Sequence, residues 1–115
     1  REVFQKTGVF DKNYFLYWED ADLSTRAKKV GFKVLYTPNA YLWHKNAGSS
    51  RVGGPLHDYY LTRNRLLFGI KYASLRTRFA LMRESFKFVI SGRTWQRRAV
   101  LDFHSGNLGK GSFNP

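Results

Sequence analysis

Glu19-Asp20-Ala21-Asp22-Leu23-Ser24-Thr25-Arg26-Ala27-Lys28-Lys29-Val30-Gly31, followed directly by Phe32-Lys33-Val34-Leu35-Tyr36-Thr37, is the stretch on which the reading of the fold turns. Its first part carries acids in the opening turn and Arg26, Lys28 and Lys29 toward the end, as a helix dipole favours, with Gly31 as a stop signal. This predicts a helix over about Glu19–Val30. The second part alternates and ends at Pro38-Asn39, which predicts a short strand. Ala40–His44 reads as a second short extended run, so the chain is expected to be α+β, mostly helical with two short strands.

Outward from that centre, Glu2–Thr7 reads as the end of a helix capped by Gly8, and Val9–Asn13 as a turn into the aromatic segment Tyr14–Trp18. Lys45–Pro55 is rich in Gly and Ser and is expected to form a flexible, lid-like loop. Helical patterns follow over Leu56–Tyr72, Leu75–Ile90 and Thr94–Phe103, and Gly106–Pro115 is expected to fray. Three parts result: residues 1–55, the basic amphipathic helices of 56–105, and the tail 106–115.

With 115 residues, 43% of them hydrophobic and 17% aromatic, the chain can bury one small core. There is no cysteine, which excludes disulfides and thiolate metal sites, and no apolar run approaches the roughly 20 residues of a membrane span. The chain starts at Arg1 rather than Met and is expected to be a piece of a longer protein. The net charge of +12 is uneven: residues 1–58 hold 9 Lys/Arg against 6 Asp/Glu, and residues 59–115 hold 11 against 2. The second half is therefore expected to meet an anionic partner.

On the central helix, Asp20, Leu23, Ala27 and Val30 share one face, so Asp20 is expected to point toward the body of the protein. A carboxylate so placed is costly unless paired or used. Asp22 is spaced i,i+4 from Arg26 and reads as half of a surface ion pair. Glu19 lies about 100° from Asp20 around the axis and could face either way. Arg63 interrupts the stripe Tyr59, Leu66, Leu67, Ile70; it either meets an anion or snorkels to solvent.

Several separated motifs carry a resemblance: Gly8-Val9-Phe10-Asp11; Phe15-Leu16-Tyr17-Trp18-Glu19-Asp20-Ala21-Asp22-Leu23; Arg26-Ala27; Gly31; Leu35-Tyr36; Pro38; Ala40; His44-Lys45; and Tyr59 to Arg65. Together they resemble the C-terminal part of family 2 glycosyltransferases, most closely the rhamnosyl- and galactofuranosyltransferase-like members. The likeness covers roughly residues 1–70 strongly. It implies the C-terminal half of a GT-A type α/β fold, with residues 1–55 as the acceptor and catalytic-base part.

The resemblance further implies an inverting transfer of a sugar from a nucleotide-diphosphate sugar to a hydroxyl of a glycan or lipid-linked acceptor. Asp20 would be the general base and Glu19 its support. Trp18, Arg63 and Asn64 would contact substrate. His44, which read by itself is an ordinary surface histidine, would complete the coordination of a Mg²⁺ or Mn²⁺ ion on the sugar diphosphate. Asp20-Ala21-Asp22 is literally a D-x-D, but at the start of a helix residues two apart diverge by about 200° and cannot converge on one ion. The metal-binding copy would lie before Arg1. Tyr60-Leu61-Thr62-Arg63-Asn64 departs from the Gln/Arg/Trp segment of processive relatives, which argues against processive synthesis.

Beyond Tyr72, basic residues alternate with aromatic and aliphatic ones, a pattern that suits peripheral contact with an anionic membrane, on the cytoplasmic face in this reading. A solvated basic face over the chain's own core is the plainer alternative. A nucleic-acid-binding or membrane-docking module without catalysis is the rival function, nucleic acid being disfavoured because no recognised motif organises the cations. A chain cut from a nucleotide-binding half is also expected to self-associate through exposed apolar surface.

Overall fold

The computed structural model describes residues 1–43 and 51–114. Five helices follow one another: α1 Glu2–Thr7, α2 Glu19–Lys29, α3 Pro55–Tyr72, α4 Leu75–Ser91 and α5 Thr94–His104. Their ends sit where local chemistry sets them. Pro55 opens α3, where its missing N–H costs nothing. The Ser74 hydroxyl accepts from the Thr77 N–H at the start of α4. The Gln96 side chain reaches back to the Arg93 N–H at the start of α5 (3.0 Å).

The longest helix, α3, is the spine, and α4 and α5 pack along it. Tyr59 and Tyr60 of α3 meet Ala99 of α5 and Phe113 of the C-terminal segment in one core cluster. Leu66, Leu81 and Val100 form the second, where α3, α4 and α5 come together. Gly69 makes that approach close: a Cβ built there would sit 2.1 Å from Leu81 Cδ1. No helix among the described residues is long and apolar enough to cross a membrane.

Two expectations fail. Among the described residues there is no strand, so the α+β class with two short strands, and with it the GT-A half-fold, is not what this chain forms. Residues 32–43 run as irregular chain, with Leu35, Tyr36, Tyr41, Leu42 and Trp43 exposed. The reason is pairing: an alternating segment becomes a strand only against a neighbour that completes its hydrogen bonds, and among the described residues no such neighbour lies beside this one. The tail does not fray either. Ser112 N donates to Asp102 Oδ2 (2.9 Å), Gly109 N donates to Asn13 O (2.9 Å), and Phe113 is buried. The expected lid loop falls mostly on residues 45–50, outside the described residues.

Candidate functional site

The acidic pair is presented by an unusual turn. Asp11 Oδ1 accepts from Asn13 N (3.0 Å) and Asp11 O from Tyr14 N (3.1 Å), starting a tight reversal. Phe15, Tyr17 and Trp18 then all adopt left-handed backbone, with φ of 63°, 66° and 74°. Each such non-glycine residue costs about 1–3 kcal/mol and persists only where the surroundings hold it. Trp18 is the N-cap of α2, and its carbonyl accepts from Asp22 N (2.9 Å). Glu19 and Asp20 follow at once.

Two adjacent side chains of α3 hold the turn. Asn64 Nδ2 donates to the carbonyls of Tyr14 (2.7 Å), Leu16 (2.7 Å) and Tyr17 (3.0 Å). Arg63 Nη2 reaches the carbonyls of Tyr14 (3.1 Å), Asn13 (3.3 Å) and Gly109 (2.6 Å). The Arg63 guanidinium also lies over the rings of Tyr59 and Tyr60. Both side chains are fully buried. The anion expected opposite Arg63 is therefore replaced by carbonyl dipoles from two distant segments, and neither residue snorkels.

The facing of the acids is the reverse of the expected one. Asp20 is exposed, with Oδ1 accepting from Ala21 N (2.7 Å), while Asp22 is completely buried. Asp22 Oδ1 accepts from Lys71 Nζ (2.7 Å), Tyr72 Oη (2.6 Å) and Tyr14 Oη (3.3 Å), and Oδ2 from Arg26 Nε (2.7 Å). The Arg26 pairing is as expected, but it is an interior pairing rather than a surface one. Arg26 also donates to the carbonyls of Thr7 and Val9, tying the end of α1 to α2. The apolar stripe misleads because four donors converge on Asp22, two of them from the end of α3, and these offset its desolvation. Burial pushes the Asp22 carboxyl up, but hydrogen bonds from Lys71, Tyr72 and Arg26 outweigh it and hold the group below the usual carboxylate range. Burial next to Asp22 drives the Tyr14 phenol well above its ordinary value.

Two polar atoms on the residues just before Asp20 lack a partner among the described residues. Trp18 Nε1 and Glu19 Oε2 are buried and have no hydrogen-bond partner among the described residues. One is a donor and the other an acceptor, on consecutive residues. The Trp18 ring packs on Phe68 of α3 (centroids 5.0 Å apart), which fixes the indole. His57 Nδ1, at the start of α3, is likewise without a hydrogen bond, and the His57 ring meets Tyr17 edge-on at 6.0 Å.

Trp18, Glu19, Asp20, Arg63 and Asn64 thus share one construction: an exposed carboxylate, two buried and unpartnered polar atoms on the residues before it, and a buried pair fixing the backbone of the turn. His44 lies outside the described residues, and among the described residues no three His, Asp or Glu side chains gather where a metal ion could be held. Asp22, Lys71, Tyr72 and Tyr14 form a hub that reading the sequence missed. Its one visible trace was the i,i+4 spacing of Asp22 and Arg26.

Comparison with known proteins gives one relationship. The chain is 42% identical over 50 residues to N-acetylglucosaminyl-diphospho-decaprenol L-rhamnosyltransferase of Mycobacterium tuberculosis, strain CDC 1551 / Oshkosh, and matches the protein of strain H37Rv equally. The match covers 44% of this chain and 16% of the relative, so the chain spans a small part of the length of the curated relatives it matches. No protein-family model and no solved structure matches. The 50-residue likeness supports a relationship between this chain and the glycosyltransferases.

Proposed function

We propose that this chain supplies the acceptor-side part of an inverting family 2 glycosyltransferase, with Asp20 as general base. The observation that carries the reading is the exposed Asp20 carboxylate, set two residues past a turn with three strained residues, in which Asn64 holds the carbonyls of Tyr14, Leu16 and Tyr17 and Arg63 those of Asn13 and Tyr14. Strain of that kind, held in place by buried donors, is what a pre-positioned reacting group requires.

In the proposed reaction Asp20 takes the proton of an acceptor hydroxyl as that oxygen forms a bond to the anomeric carbon of the donor sugar. The bond from that carbon to the diphosphate breaks on the opposite face, and the nucleoside diphosphate leaves with the electron pair. Configuration inverts, and the proton rests on the carboxyl. Glu19 Oε2 and Trp18 Nε1, buried and unpartnered among the described residues, are an acceptor and a donor that glycan hydroxyls would meet once a side-chain shift uncovers them. Arg63 and Asn64 act as positioning residues. The relatives' name describes a rhamnosyl transfer to a sugar carried on diphospho-decaprenol, and an acceptor of that class, a sugar on a lipid diphosphate, suits this chain too. The divalent cation implied by the family likeness would need ligands beyond the described residues, and no step here passes through it.

The test is Asp20→Asn in the protein that carries this chain, followed by release of nucleoside diphosphate in the presence of acceptor. Loss of a general base predicts a fall of about 10²- to 10⁴-fold with α2 intact. Turnover within a few-fold of the parent would refute the assignment.

A further inference from the structure

Helix α4 leaves one face without a partner among the described residues. Leu75, Phe79, Phe86 and Ile90 fall within about 60° of one another around the axis, and each is between 72 and 81% exposed. The opposite side carries Leu81 and Ser85, which are buried against α3 and α5. Four large apolar side chains in a row along one solvent-facing stripe are more than scattered surface residues.

The charges beside the stripe identify what fits it. Arg76, Arg83 and Lys87 lie along one flank and are exposed. The helix has a single acid, Glu84, which points to the far side and is held by both Arg65 nitrogens at 2.8 Å. The other acid of residues 59–115, Asp102, is buried against Tyr59 and Ser112. The flank is therefore positive with nothing on the helix to neutralise it. A second copy of the chain would set Arg76, Arg83 and Lys87 against their own kind. An apolar stripe edged by cations matches an anionic bilayer surface, where aromatic and aliphatic side chains enter the acyl boundary and cations meet the headgroups.

We propose that the Leu75/Phe79/Phe86/Ile90 face of α4 docks in the interface of an anionic phospholipid bilayer. The docking does not depend on the proposed sugar transfer, because it uses none of the residues near Asp20. Near an anionic surface each cation is worth about a fivefold gain in partitioning, so the three on the flank supply about a hundredfold.

Co-sedimentation of the chain with vesicles of phosphatidylcholine alone, and of phosphatidylcholine with phosphatidylglycerol, tests this. Binding is expected only to the vesicles with phosphatidylglycerol, and it should weaken as salt is raised. The Phe79→Glu/Phe86→Glu double variant should abolish it. The Arg76→Gln/Arg83→Gln/Lys87→Gln variant should lower it about a hundredfold. All five side chains are exposed, so helicity by circular dichroism should not change in either variant. No sedimentation with either vesicle, or binding that both variants retain, would overturn the proposal. So would tighter retention on single-stranded RNA than on the anionic vesicles, lost in the same variants, which would assign the face to nucleic acid.

Discussion

Lys71 Nζ donates to Asp22 Oδ1 over 2.7 Å, joining the last turn of α3 to the first turn of α2. Around this bond Tyr14, Arg26 and Tyr72 complete a closed set of donors on one buried carboxylate. The hub fixes the start of α2, and so fixes where the exposed Asp20 stands. Of the two aspartates in Asp20-Ala21-Asp22, one is buried and structural and the other is exposed.

Asp22→Asn should therefore destabilise the fold. It removes a buried charge and leaves Lys71 and Arg26 with weaker acceptors, an exchange that costs about 2–4 kcal/mol where the cations can still reach water. For a domain of this size the melting temperature should fall by roughly 10 °C or more. Thermal unfolding followed by circular dichroism measures it, and an unchanged melting temperature would contradict the hub.

The same group sets an acid limit. The Asp22 carboxyl is held below its ordinary range, against the effect of burial, by hydrogen bonds from Lys71, Tyr72 and Arg26. The Asp102 carboxyl is likewise held low, against burial, by Tyr59 and Ser112. The unfolded chain binds protons at these sites before the folded one does. Their contribution to stability is complete above the ordinary carboxylate pKa of about 4 and is lost as pH falls through the lower folded values. Urea midpoints should be flat from neutral pH down to about 5 and drop below about 4, with a shallower drop in Asp22→Asn. On the alkaline side, burial and the Asp102 hydrogen bond push the Tyr59 phenol up to about 12. That contribution is complete below the unfolded value of about 10 and should fade as pH rises from there toward 12.

Asn64→Ala takes the side-chain donor from the Leu16 and Tyr17 carbonyls of the strained turn, Tyr14 O keeping Arg63, and should cost about 2–4 kcal/mol. Because it also releases the backbone under Trp18 and Glu19, transfer in the parent protein should fall further than the loss of folded protein explains. Activity per folded molecule, read beside a denaturation curve, separates the two effects. If only stability changes, Asn64 does not position the site.

Gly111 has φ 59°, and a Cβ there would sit 2.0 Å from Tyr59 Oη and 2.6 Å from Arg63 Nη1, both side chains being buried. Gly111→Ala should destabilise the chain by about 2–3 kcal/mol through strain and overpacking. It should also speed amide exchange at Ser112, whose N–H points at Asp102. A neutral result would mean that the C-terminal segment is not locked to α3.

What the sequence made legible was local. Helices α3, α4 and α5 follow from apolar periodicity, and their bounds fall within a residue or two of expectation. What it hid depends on partners far along the chain. Phe32–Thr37 alternates like a strand, yet pairing decides strands. Asp22 looks like a surface residue until Lys71 and Tyr72, some 50 residues on, are placed beside it. Residues 106–114 are rich in glycine and look frayed, but that freedom lets the chain turn back onto Tyr59 and Asp102. In the candidate site, Arg63 and Asn64 were expected to contact substrate, whereas both are fully buried and clamp the backbone of the turn.

Chemical rescue of Asp20→Ala asks whether a carboxylate at this position takes the acceptor proton. Nucleoside diphosphate release by the parent protein carrying this change should fall by at least about 10²-fold and be partly restored by added formate, a small base able to occupy the vacated position. The protein should melt close to the parent temperature, since the Asp20 side chain is exposed and bonds only the adjacent Ala21 N–H among the described residues. Turnover that stays near the parent rate without formate would show that Asp20 is not the base.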